Sequence, residues 1–219
     1  MEVYGIIERA VARAAEDEAT LLAARARWVE LAGAVFDDEP LFEERAAAFL
    51  EWFLIDWTDG KGRPPIATVI DAASGPEQAQ LRALAGSHRG LFVVTEASPA
   101  DDGEGTQVAL DDLWGGASFR VHERRRISGL DAGEVFEGRL VADVSAPPRL
   151  VFARTFCFHP QGALAGVRHQ VELAKAAGDS RDALLFRLLR LRLRCERYRH
   201  VSAARIYQAG ERETEDPTK

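Results

Sequence analysis

The chain has 219 residues, 47% of them hydrophobic and 29% charged, with a formal net charge of −7 at pH 7. This length and composition support a buried core without disulfides or metal, and they exclude a wholly disordered chain. The net charge argues against bulk nucleic-acid binding, but it is unevenly spread: between Arg181 and Arg205 eight arginines face only Asp182 and Glu196, giving +6 and leaving −13 on the rest.

The first segment, Glu2 to Phe36, reads as helix with a break near Asp17, because Val3, Ile6, Ile7, Ala10, Val11 and Ala14 recur at three and four residues. Asp37-Asp38-Glu39-Pro40 is a helix start signal, and the next helix runs from about Leu41 to Ile55. Ile66 to Asp71 carries no decisive pattern. Ser74-Gly75-Pro76-Glu77 opens a helix that Gly86 closes.

Five short strands come next, Gly90 to Ala97, Thr106 to Leu110, Ser118 to Glu123, Glu134 to Val144 and Arg149 to Phe156, separated by glycines and by Pro147-Pro148. That spacing predicts a small antiparallel β-barrel, SH3-like or OB-like, in an α+β chain. Helices return at Ala163 to Ala177 and from Arg181 to about Gln208, and the polar end Glu211 to Lys219 reads as a disordered tail. The expected organisation is a helical region 1–86, a barrel 87–160, a helical hairpin 161–210 and the tail 211–219, the first three as one compact unit.

The N-terminus shows no basic stretch followed by an apolar run, and Ala46 to Ile55, interrupted by Glu51, is too short to span a bilayer. Cys157 and Cys195 are the only cysteines and read as free thiols. A soluble cytoplasmic protein without membrane contact is expected.

Phe49-Leu50-Glu51-Trp52-Phe53-Leu54-Ile55-Asp56-Trp57 resembles the FxxWFLFDY-type signature of bacterial SEC-C motif-containing proteins. The order of the later elements is similar too: the helix near Gln78 to Ala85, the strand Gly90 to Thr95, the hairpin Leu110 to Val121, the strand Gly138 to Val141 and the close Phe156-Cys157-Phe158-His159-Pro160. The resemblance covers roughly Phe42 to Pro160 and implies a helix-plus-β-barrel fold without an assigned activity. The chain departs from the family in lacking the cysteine-rich zinc-binding tail, so zinc-dependent partner binding does not carry over.

Several groups could carry chemistry. Arg187, Arg190, Arg194 and Arg197 share one stripe of the last helix, which Arg205 rejoins, while Leu184, Leu188 and Leu191 share another. The stripe could grip phosphates or an acidic protein, or it could pair with Glu16-Asp17-Glu18, Asp37-Asp38-Glu39 and Glu43-Glu44 of the same chain. Arg124-Arg125-Arg126 lies in a turn that could border a nucleic-acid groove, or form a solvated hairpin tip. Trp52, Phe53, Asp56 and Trp57 read as packing that seals the barrel, with Asp56 capping a turn or accepting an indole N–H; a peptide cleft is the functional alternative.

Cys157 and His159 could share a metal but lack further ligands at metal spacing. Asp111-Asp112 could serve acid–base chemistry but reads as a turn. No catalytic residue, cofactor or metal is assigned, since nucleophile, zinc-protease, phosphate-loop and dinucleotide motifs are all missing. The expected function is a non-enzymatic protein-interaction or adaptor module, whose partner is another protein. A nucleic-acid or ribosome-associated binder comes second and an unrecognised hydrolase third.

Overall fold

The computed structural model describes residues 3–36, 38–60, 62–100, 103–125 and 127–210. The expected disordered tail at 211–219 and Arg126 lie outside them. Helix α1 spans Val3–Ala14 and α2 spans Glu18–Ala32. The break between them falls at Asp17, whose carboxylate accepts hydrogen bonds from the Thr20 amide at 3.1 Å and hydroxyl at 2.7 Å and so caps α2. Helix α3 spans Phe42–Ile55. The stretch without a decisive pattern is helix α4, Pro65–Ala72, with proline in its first turn. Helix α5 is Gly75–Ala85.

Strands β1 (His88–Pro99), β2 (Thr106–Asp112), β3 (Ser118–Glu123), β4 (Val135–Ala142) and β5 (Leu150–Phe158) form one antiparallel sheet in the order β3-β2-β1-β4-β5. Helices α6 (Leu164–Ala177), α7 (Arg181–Arg197) and α8 (Ala203–Ala209) complete the described chain.

The five expected antiparallel strands are present, but they form an open sheet and not a closed barrel. Among the described residues β3 pairs only with β2, and β5 only with β4. The edges approach each other, yet three main-chain groups of β5 already bond side chains. Arg125 donates to the Ala153 carbonyl at 3.0 Å, the Thr155 amide donates to Glu51 at 2.9 Å, and Arg192 donates to the Phe158 carbonyl at 2.8 Å. Groups already satisfied have little to gain from a further ladder.

The central strand β1 is buried on both faces. Leu91 and Val93 face α6, α7 and α8, while Phe92 and Val94 face an aromatic core with Val108, Leu110, Val121, Phe136 and Phe152. Gly90 and Gly138 stand opposite each other on β1 and β4. A Cβ on Gly90 would lie 2.5 Å from the Phe92 ring and one on Gly138 2.9 Å from the Phe136 ring. The two rings fill the holes the glycines leave.

The expected single helix Arg181–Gln208 is broken. Tyr198 leaves the helical region at φ −112°, ψ 56°, and Ser202 caps α8 by accepting from the Arg205 amide. The break turns Tyr207 inward. It is fully buried against Gly166 of α6, where a Cβ would approach its Cβ to 2.5 Å.

Candidate functional site

The α7 stripe is turned largely onto the molecule itself. Arg187 pairs with Asp179, Arg190 donates to the Leu31 carbonyl, and Arg194 donates to the Gly210 carbonyl at 2.8 Å. Arg197 is exposed, as is Arg205 beyond the helix break. The stripe thus braces α7 against α2 and the end of α8, and of its four α7 arginines only Arg197 is presented fully to solvent. Arg192, outside the stripe, reaches β5 and Glu196.

The aromatic signature packs between helices rather than at the mouth of a barrel. The Trp52 ring lies 5.3 Å from Trp28 of α2 and 6.0 Å from Phe186 of α7, and Phe53 lies 6.2 Å from Trp57. Asp56 stands at the C-terminal cap position of α3, and its carboxylate pairs with Arg139 of β4. Asp111 and Asp112 are the last two residues of β2, at the entry to the turn before β3. Asp111 accepts from the Ser118 hydroxyl at 2.6 Å, while Asp112 accepts from the Trp114 amide at 2.9 Å and lies 3.1 Å from His88. Among the described residues no three His, Cys, Asp or Glu side chains are grouped to hold a metal. Nor is any described helix long and apolar enough to cross a membrane.

Behind Trp52 lies an ionic cavity that no sequence motif marks, a space of about 30 Å³ between α3, β4, β5 and α7. Glu51 enters from α3, Glu137 and Arg139 from β4, Arg89 from β1, and Thr155 and Cys157 from β5. Arg89 and Glu137 approach to 3.8 Å, and Arg139 and Glu51 to 3.9 Å. Arg89 Nη1, Glu137 Oε1, Arg139 Nε and Thr155 Oγ1 are buried without a hydrogen-bond partner.

Burial, opposed by Arg89, pushes the Glu137 carboxyl up to about 7, and burial also raises Glu51 against the pull of Arg139. Beside them His159 is pushed down to about 3 by burial and by Arg192, and its Nδ1 is 2.6 Å from the Tyr207 hydroxyl. Burial lifts the Cys157 thiol to about 12, so it is no nucleophile at neutral pH. The cavity has room for water but not for a substrate-sized molecule.

The second site is a cleft between β3 and the start of β5. Val121 points into the aromatic core, so Arg120 and His122 lie on the opposite face of β3. They line a cleft of about 500 Å³ together with Gln107, Pro147, Arg149 and Leu150. An adjoining hollow of about 450 Å³ shares His122 and Arg149 and adds Arg124, Arg125 and Asp143.

Arg120 is exposed, and Arg124 is 3.8 Å from an equally exposed Glu104, a pairing that water screens. Arg125 is spent on structure: it pairs with buried Glu123 at 2.8 Å and stacks 4.0 Å from the Tyr4 ring centroid. The turn arginines are visible in the sequence as a run. Arg120 and Arg149 carry no such signal, because the strands that bring them together are about 30 residues apart. Comparison with protein-family models, with curated proteins and with solved structures returned no match.

Proposed function

We propose that the chain is a non-enzymatic protein-interaction module that receives an acidic, extended segment of a partner protein in the cleft beside β3. The observation that carries this reading is the placing of Arg120, Arg124 and Arg149 along a cleft whose β3 wall has no strand on its outer side among the described residues. Guanidinium groups match carboxylates bidentately, and an unpaired strand edge offers main-chain hydrogen bonds to an extended chain. Pro147, Pro148 and Leu150 give the cleft an apolar side that such a segment can cover. The free thiols Cys157 and Cys195 fit a reducing, cytoplasmic setting, and kinship with the helix-plus-β region of SEC-C motif-containing proteins is part of the same reading.

Nucleic acid is the second reading, and two features disfavour it. The lobe built on Arg120 has no Phe, Tyr or Trp ring for base stacking and its His122 is buried, and Tyr4 in the other is covered by Arg125. A fluorescent Glu/Asp-rich peptide and a fluorescent single-stranded RNA, each titrated by anisotropy at two salt concentrations, separate the readings. Peptide binding that falls at least about tenfold in Arg120→Glu/Arg124→Glu supports the proposal. Peptide binding unchanged in that variant overturns it. RNA binding with a steep salt dependence and no peptide binding replaces it with the second reading.

A further inference from the structure

Helix α2 is apolar on two opposite sides. Ala24, Trp28 and Ala32 are buried against the core. On the other side Ala19, Leu22, Ala26 and Val29 are all exposed, Leu22 by 64% and Val29 by 40%. Their spacing of three, four and three residues is that of a helix–helix seam, and Phe36, 54% exposed, continues it just past the helix end. Single exposed leucines need no explanation, but a stripe in register along roughly 15 Å of helix does.

We propose that this stripe pairs with the same stripe of a second copy of the chain, the two α2 helices lying parallel and in register. The flanking charges select both the occupant and the orientation. At 100° per residue, Glu18 and Arg25 border one side of the seam, and Ala23 and Glu30 border the other. Parallel pairing sets Arg25 of each copy beside Glu30 of the other, five residues on, and the two-fold axis makes this contact twice. Glu18 then meets uncharged Ala23. The antiparallel register that buries all four stripe residues instead brings Arg25 against Arg25.

Arg27 holds Glu30 within its own helix at 2.7 Å, but both side chains are more than half exposed, so that pair yields readily to a new partner. Alanine at alternate seam positions lets the helices approach closely. A seam of this length lies at the small end of stable interfaces, so the dimer dissociates on dilution.

Sedimentation equilibrium of the whole chain tests this. The expected result is a reversible monomer–dimer equilibrium that Leu22→Glu/Val29→Glu abolishes while leaving the circular dichroism melt unchanged, since both residues are exposed. Arg25→Glu alone and Glu30→Arg alone are each expected to weaken the dimer roughly tenfold, and Arg25→Glu/Glu30→Arg together to restore it. A monomer at every concentration up to the solubility limit overturns the proposal, as does a dimer indifferent to Leu22→Glu/Val29→Glu. A dimer that these lesions dissolve but the charge exchange does not restore overturns the parallel register.

Discussion

Replacing Glu137 by Gln probes the ionic cavity with little change in shape. In the folded chain the Glu137 carboxyl titrates at about 7, against an ordinary value of 4.5. The folded state therefore holds this proton more tightly than the unfolded state does. Between pH 4.5 and 7 the folded state binds more protons, so stability falls as pH rises through that window and is level above it. Each pKa unit corresponds to about 1.4 kcal/mol, which makes the loss about 3 kcal/mol across the window.

The neutral amide of the Glu137→Gln variant mimics the protonated acid and does not titrate. The variant should match the wild type near pH 4.5 and exceed it by about 3 kcal/mol at about pH 8. Urea unfolding at a series of pH values reads this directly. The difference between the two proteins isolates the group from others that titrate. His159 has the opposite sign: its folded pKa of about 3 costs stability as pH falls below about 6.5. A stability difference that stays constant from about pH 4.5 to about pH 8 would refute the assignment of the proton to Glu137.

Two more outcomes rest on packing and burial. Gly166→Ala places a methyl group 2.5 Å from the Tyr207 Cβ, so it should destabilise the chain by about 1–3 kcal/mol in thermal unfolding; an unchanged melt would mean that α6 and α8 are not in close contact. Both thiols should resist a thiol-specific reagent at about pH 7.5 in the folded protein and react rapidly in urea. Burial lifts Cys157 to about 12 and Cys195 to about 11, and of the two Cys195 is the more accessible and should react first. Fast labelling of Cys157 in the native state would contradict its burial between β5 and the helices packed on it.

Structure is legible in the sequence where the chain decides locally. The β1 run Leu91-Phe92-Val93-Val94 announces itself because a strand buried on both faces is continuously apolar, and Asp17 announces the α1–α2 break through a cap within one turn. The departures come from long-range competition. Five strands with glycine turns look the same whether or not the sheet closes. Side chains that compete for the β5 main chain, Glu51, Arg125 and Arg192, lie far from β5 in sequence or in other elements. In the sequence Glu51 is visible only as an interruption in an apolar run.

The helix break before α8 carries no glycine or proline, and its one signal is Ser202. For the α7 stripe the periodicity is right, but the destination of the side chains is not legible, since Arg190 meets a carbonyl of α2 and Arg194 one at the end of α8. The cavity gives no warning because Glu137 and Arg139 alternate with apolar residues as solvent-facing strand positions do.

The side chains that occupy β5 also limit how copies of this sheet can stack. A fibre grown edge to edge needs two free rows of amides and carbonyls on every molecule, one to receive the previous copy and one to offer to the next. Between Ala153 and Phe158 three such groups, the Ala153 carbonyl, the Thr155 amide and the Phe158 carbonyl, already bond Arg125, Glu51 and Arg192. A strand added along β3 therefore meets a less available counterpart on the far side. Side chains seated on the main chain of an edge strand in this way disfavour edge-to-edge growth.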